Sequence, residues 1–292
     1  MLISTDYREL VRKGLAELPP FSPVLSKLLA TLAMEDVSFA KLAALIERDT
    51  VMSGNVMKLV NSAAYARRGP ISSIAHGISV LGLTKLRNLI LGLSITRTMR
   101  SSKAAAGWSQ ANFNMHSVAT AVLADQVAQH VSVNYPEGAF IAGLFHDLGR
   151  LLIAVAFSDE YPTIHQRFLE GGKTLSECER EVIGIAHAEI TALALTEWNL
   201  PAPIRSAAEF HHDPFANPQR EAEKSEATFH LSEIILASDE VVNRLGNSIL
   251  PRPESDRPED PFKPLNGFLQ LETREKVAND YTREYEAIRA FF

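Results

Sequence analysis

Between Ala139 and Val155 the chain carries a pattern that few folds can accommodate. Ile141, Leu144, Phe145, Leu148, Leu151, Leu152 and Val155 recur at the steps of one helical stripe. A turn of about 100° per residue sets Gly143, His146, Asp147 and Arg150 on the other side, beside the small Ala139, Ala142 and Ala154. A helix that is apolar on one face and small on the other expects cover on both. One continuous helix here turns His146 and Asp147 toward an interior pocket. A carboxylate buried there needs a cation, donors or a metal. Two readings fit this stretch alone: an Asp147–Arg150 pair beside a histidine satisfied by a backbone carbonyl, or a functional site.

The remainder reads as helix after helix, since β-branched residues nowhere alternate for long, and the predicted fold class is all-α. The first helix spans Thr5 to Leu18 and stops at Pro19-Pro20. Ser22-Pro23 opens a second, and Ser38 caps a third through Leu42, Leu45 and Ile46. A fourth runs from Val51 to Leu59 before a loop over Tyr65 to Pro70. Ser72 or Ser73 starts the next, and Thr84 caps a long one through Ile95. Asn112 or Asn114 leads into a helix to Val131, and a turn at Tyr135 to Gly138 precedes the His-Asp helix. Further helices are expected over Pro162–Glu170, Leu175–Ile183, His187–Trp198, Ala202–His211, Ala227–Leu245 and Thr273–Phe291. Pro251 to Pro264, rich in Pro, Asp, Glu and Arg, reads as an extended linker. The expected divisions are residues 1–106, 107–250 and 251–292.

At 292 residues the chain can bury a large core. Its single cysteine, Cys178, excludes an internal disulfide framework and fits a reducing compartment. The first residues lack the basic-then-apolar order of a signal peptide, and no uninterrupted apolar run approaches bilayer-spanning length. A cytoplasmic location without a membrane is expected. From Val51 to Ala124 there is no Asp or Glu, while Lys58, Arg67, Arg68, Lys85, Arg87, Arg97, Arg100 and Lys103 fall there, in a chain of net charge −6. This stretch either pairs with acids from the second half or, through Lys58, Arg67, Arg68, Lys85 or Arg87, offers a docking surface for an acidic partner.

His116 lies on one stripe with Ala119, Thr120, Leu123 and Val127. His187 lies with Ile190, Thr191, Ala194 and Trp198, and His211-His212 ends a helix. One histidine on an apolar stripe is an ordinary satisfied core residue. Several such places together with Asp147 suit iron, manganese or zinc. The helix pair over Ile74 to Ile90 has the wrong Ala-to-Gly distance for the common helix-turn-helix, so DNA is not the expected partner. Trp108, Phe113, Trp198 and Phe210 read as core packing rather than stacking platforms.

With these residues in view the chain resembles the HDOD family, a branch of the HD superfamily of metal-dependent phosphohydrolases. The resemblance runs from Leu18 to Asp213. It rests on Leu18-Pro19-Pro20, Asn61-Ser62-Ala63, Ile71-Ser72-Ser73-Ile74, Ile78, Leu81-Gly82-Leu83 and Leu86-Arg87-Asn88-Leu89. It continues through His116-Ser117, Ala142 to Gly149, His187-Ala188-Glu189, Trp198 to Pro201 and His211-His212. It implies an HD-type helical core behind an N-terminal helical subdomain. It also implies one or two metal ions held by His116, His146, Asp147, His187, His211, His212 and a late carboxylate. Glu233 fills that last place by local pattern, with Asp239 as the rival. Arg150 stands where hydrolytic relatives usually carry Lys and is the expected anion contact, with fork geometry in place of a point charge. Thr191 replaces a glycine of the cyclic-dinucleotide hydrolases. Asp213-Pro214-Phe215 stands where their Gly-Tyr-Pro is missing, so their substrate loop is not expected. The family resemblance implies a regulatory protein that works through a signalling partner, with a nucleotide or phosphate as a candidate ligand. The alternative is an active phosphohydrolase acting on a nucleotide or phosphate ester.

Overall fold

Helical periodicity interrupted by Pro, Gly and capping residues produces a stack of helices and, among the described residues, no strand beyond an isolated Val133–Phe229 bridge. The structure is a computed structural model and describes residues 7–18, 23–30, 43–44, 46–62, 65, 70–99, 104–218, 228–250 and 259–289. Pro19-Pro20, Ser22, Ser38, Leu42, Leu45, Ala63, Arg67, Arg68, Arg100, Lys103 and the start of the Pro-rich segment lie outside the described residues.

The helices are α1 Tyr7–Glu17, α2 Pro23–Ala30, α3 Thr50–Val60, α4 Ile74–Leu81, α5 Leu83–Met99, α6 Gln110–Ala128 and α7 Ala139–Phe145. They continue as α8 Leu148–Ala156, α9 Tyr161–Leu169, α10 Leu175–Ile183, α11 His187–Glu197, α12 Ala202–Glu209, α13 Leu231–Arg244 and α14 Leu271–Arg289. Several starts follow from local chemistry. Asp49 Oδ1 accepts from Met52 N at 2.9 Å, and Ser73 Oγ accepts from His76 N at 3.0 Å. Other starts differ from the sequence expectation. Helix α5 begins at Leu83, after Gly82 turns the chain with φ +84°, so Thr84 is inside it rather than its cap. Ser109, not Asn112 or Asn114, caps α6, with Oγ accepting from Asn112 N at 3.2 Å.

Helix α6 is buried on every side from Val118 to Ala128, which is why its apolar and small residues show no single stripe. It packs against α7, α13, α14 and α5. A Cβ on Gly143 of α7 would lie 2.8 Å from Ala121 Cα, so the two backbones approach as only glycine allows. Helices α2 to α5 gather on one side. Helix α1 does not stay with them. It lies on α8 and α11, where Gly14 faces Ala156 and the Arg12 guanidinium grips both oxygens of Glu197 at 2.9 and 3.1 Å.

The His-Asp stretch is not the single helix that its apolar stripe suggests. Helix α7 stops at Phe145 and α8 starts at Leu148, with His146 and Asp147 forming the joint. Three hydrogen bonds account for the break. His146 Nδ1 takes the carbonyl of Gly143 at 2.8 Å, and Arg150 N closes a tighter turn on Asp147 O at 3.0 Å. Gly149 N donates out of the helix to Thr191 Oγ1 at 2.8 Å. A Cβ on Gly149 would lie 2.0 Å from the His187 carbonyl, so glycine is what lets α11 come this close.

Pro136–Ala156 is long and apolar enough on average to cross a membrane, although Asp147 and Arg150 interrupt its apolar run, as the sequence reading has it. Since 83% of its most apolar window is buried inside the protein, its hydrophobicity is used by the core. The last helix packs on α6 through Val277, Tyr281, Tyr285 and Ile288. The basic stretch is partly drawn inward as well. Lys85 pairs with Asp125 at 2.9 Å and with Glu284, and Arg87 is buried, so neither belongs to an exposed docking surface. The first turn of α5 faces the acids of α6 and α14, which explains why the acid-free stretch needs none of its own.

Candidate metal centre

Five elements deliver side chains to one point. His116 comes from the middle of α6, and His146 and Asp147 from the α7–α8 joint. His187 opens α11, His211 and His212 follow α12, and Asp239 sits on α13. His116, His146, His187 and His211 are at most 1% exposed and Asp147 is 3% exposed. The buried rings share one orientation. His116 Nδ1 faces the Asn247 carbonyl at 2.9 Å, His146 Nδ1 that of Gly143 at 2.8 Å, and His211 Nδ1 that of Ala208 at 2.7 Å. His187 Nδ1 faces the Glu179 carboxylate at 2.6 Å. A ring that donates from Nδ1 keeps an Nε2 lone pair. All of these lone pairs therefore look inward.

Inside, the atoms fall into two groups that share Asp147. Its Oδ2 lies 3.6 Å from both His116 Nε2 and His146 Nε2. Its Oδ1 lies 3.3 Å from His187 Nε2 and 3.6 Å from His211 Nε2. Asp239 Oδ1 joins the first group, 3.1 Å from His116 Nε2 and 3.6 Å from His146 Nε2. His212 joins the second, with Nε2 2.8 Å from His187 Nε2. Bare lone pairs repel at such distances, and a cation between them turns repulsion into ligation. Asp147 Oδ1 and His211 Nε2 are also buried without a hydrogen-bond partner. Nitrogen and carboxylate donors in this mixture fit iron, manganese or zinc.

The electrostatics of the site point the same way. Burial works against the charge on Asp147, but Arg150 and His146 outweigh it and hold its carboxyl well below the usual range. Burial likewise opposes charge on Asp239, and His116 and His146 overcome it. The His146 pKa is raised because Asp147 and Asp239 outweigh its desolvation. Burial lowers the pKa of His211. Neutral imidazole is the form that binds metal.

His116, His146, Asp147, His187, His211 and His212 thus come together as the sequence suggests. Glu233 does not. Its Oε2 accepts from His230 N at 2.8 Å at the start of α13, one and a half turns from the pocket, and Asp239 supplies the late carboxylate. Arg150 lies at the site but turns onto Asp147, with Nη1 3.0 Å from Oδ2. That is the ion pair of the plainer sequence reading, found beside the convergent histidines rather than instead of them. Glu179 and Thr191 have roles that sequence reasoning missed. Glu179 falls on the apolar stripe of α10 with Leu175, Cys178 and Val182, and an acid on such a stripe is the signal that could have found it.

An all-α HD-type core with a convergent His/Asp centre defines the class. The chain belongs to the HDOD domain family, whose profile matches residues 18–214. An HDOD domain protein of unknown function from Geobacter sulfurreducens has the same fold, with a TM-score of 0.76, 20% identity and 98% of each chain covered. A phosphohydrolase-like protein from Shewanella amazonensis SB2B is also similar, with a TM-score of 0.72, 21% identity and 97% and 98% coverage. An uncharacterized protein of Treponema pallidum (strain Nichols) is 24% identical over 199 residues, 68% of this chain and only 38% of that protein's length.

Proposed function

We propose that this HDOD protein is a metal-binding regulatory module of a signalling pathway, with Fe, Mn or Zn held at one or both positions of the His/Asp centre. The observation that carries this reading is the enclosure of most of a convergent donor set. The four innermost histidines are at most 1% exposed, and the nearest cation, Arg150, is drawn onto Asp147. Closed sites are typical of structural and regulatory ions, whereas a catalytic ion keeps an open position. One similar fold, a signal-transduction-type protein of Marinobacter aquaeolei VT8 with a TM-score of 0.68, 18% identity and 99% of this chain but 66% of its own covered, is consistent with a signalling context. We place the protein in the cytoplasm with a protein partner. Its single cysteine, free and buried, suits a reducing compartment.

A second reading is an active phosphohydrolase acting on a nucleotide or phosphate ester. It is favoured by His212, which is exposed, and by the Asp239 side chain at 13% exposure, which leave one side of the centre accessible. A bound divalent ion supplies Lewis acidity toward a phosphoryl oxygen. Asp147, Asp239 and the histidines would hold it, and the remaining guanidinium N–H groups of Arg150 would orient an anion beside it. Metal analysis of the purified protein, followed by a screen of p-nitrophenyl phosphate and nucleotides with added Mn2+ or Fe2+, separates the readings. Bound metal without turnover is expected. Turnover that vanishes in Asp147→Asn replaces the regulatory reading with the hydrolase, and a protein that takes up no metal overturns both.

A further inference from the structure

The buried rings are oriented by two different kinds of acceptor. Backbone carbonyls hold His116, His146 and His211, but His187 is held by a carboxylate from the neighbouring helix α10. Glu179 Oε2 accepts twice from His187, from the ring Nδ1 at 2.6 Å and from the backbone N–H at 2.8 Å. Glu179 is 2% exposed and His187 is 1% exposed. The second of these bonds has a local cause. His187 opens α11 behind Ala186, which has no side-chain oxygen to cap the helix, and Glu179 takes one of the orphan N–H groups of that helix start, the one on His187 itself.

The charge count makes the carboxylate more than a cap. The His116 side of the centre sees Asp147 Oδ2 and Asp239, whereas the His187 side has three imidazoles and only Asp147 Oδ1. A divalent ion on the His187 side meets the smaller negative charge, and Glu179 stands one imidazole behind it. We infer that Glu179 is a positioning residue of the His187-side metal position: it fixes the ring with Nδ1–H outward and the Nε2 lone pair inward, and it supplies the negative charge which that side lacks. This rests on the metal-binding reading above. Without the acceptor the ring can carry its proton on Nε2, where it faces the ion and cannot ligate it.

Zinc binding measured by chelator competition, with bound zinc counted per chain, tests this in the full-length parent, Glu179→Gln, Glu179→Ala and Asp239→Asn. In Glu179→Ala the His187-side ion should be lost, while Asp239→Asn loses the ion on the other side. Glu179→Gln keeps an oxygen able to accept both N–H groups, so it should restore occupancy at saturating zinc with affinity weakened on the order of ten- to a hundredfold. A role in folding alone moves the melting temperature of the Glu179 variants and leaves their zinc affinity at the parental value. That result overturns the inference alone, whether the parent holds one ion or two, and Glu179→Gln decides it if Glu179→Ala does not fold. A parent that binds no zinc overturns the metal reading and this inference with it.

Discussion

Single side chains divide here into those that hold the centre and those that hold the helices around it. Asp147 gives one oxygen to each group of histidines and, among the described residues, is the one that both groups contain. Asp147→Asn keeps the shape and removes the charge, and both ions should go while the far-ultraviolet circular dichroism stays parental. The two late carboxylates make a sharper pair. Asp239→Asn should lower bound metal, because Asp239 Oδ1 is 3.1 Å from His116 Nε2. Glu233→Gln should leave metal content unchanged and, because its amide oxygen still accepts from His230 N, cost only about 0.3–1 kcal/mol in urea denaturation, the worth of a negative charge at a helix start. Metal loss in Glu233→Gln with none in Asp239→Asn would reverse the assignment.

At the scale of elements, the α7–α8 joint is what turns His146 and Asp147 into the pocket. Thr191 of α11 ties that joint. Its Oγ1 accepts from Gly149 N at 2.8 Å and lies 3.1 Å from the His146 carbonyl and 2.9 Å from its own helix at His187 O. Thr191→Val keeps the volume but strands a buried N–H, which costs about 1–3 kcal/mol. Thr191→Ser should recover most of that in the same denaturation experiment, and equal stability of the two variants would show that the hydroxyl bond contributes nothing. Gly149→Ala should be worse than Thr191→Val, since its Cβ meets backbone rather than a movable side chain.

Across the whole molecule, Lys85 joins three distant segments. It bridges Asp125 of α6 and Glu284 of α14 from the first turn of α5, and Gln126 Nε2 donates to the same Glu284 at 2.6 Å. Its side chain is 17% exposed, against 11% for Asp125 and 6% for Glu284. Lys85→Met would leave two largely buried carboxylates without their cation, a loss of about 3–5 kcal/mol. Burial opposes the charge on Lys85, but Asp125 and Glu284 outweigh it and raise its pKa. A raised ammonium pKa gives stability that is complete below the unfolded-state value of about 10.4 and is lost as pH climbs through the folded value. The difference between parent and variant should therefore stay level at neutral pH and shrink only in strong alkali. A difference that persists unchanged into strong alkali would assign it to another group.

The sequence by itself determined the helical class and marked His116, His146, Asp147, His187, His211 and His212 as candidates, because periodicity along each helix shows where polar residues fall among apolar ones. It also showed that Arg150 stands three residues beyond Asp147, within reach of the ion pair it forms. What it left open depends on contacts between helices. Glu233 and Asp239 lie six residues apart on one helix, and only the placement of α13 against α6 brings Asp239 to His116. The stripe through Ile141 and Val155 continues across the joint, so the break appears only once Thr191 and the His187 carbonyl arrive from α11. Pairing of the basic stretch with acids from the second half is legible, but which acid meets Lys85 is not until α14 returns with Glu284, 199 positions later in the numbering. Periodicity reports which face of a helix is covered. It carries no record of which helix covers it, and the polar partners of a buried charge are set by that second fact.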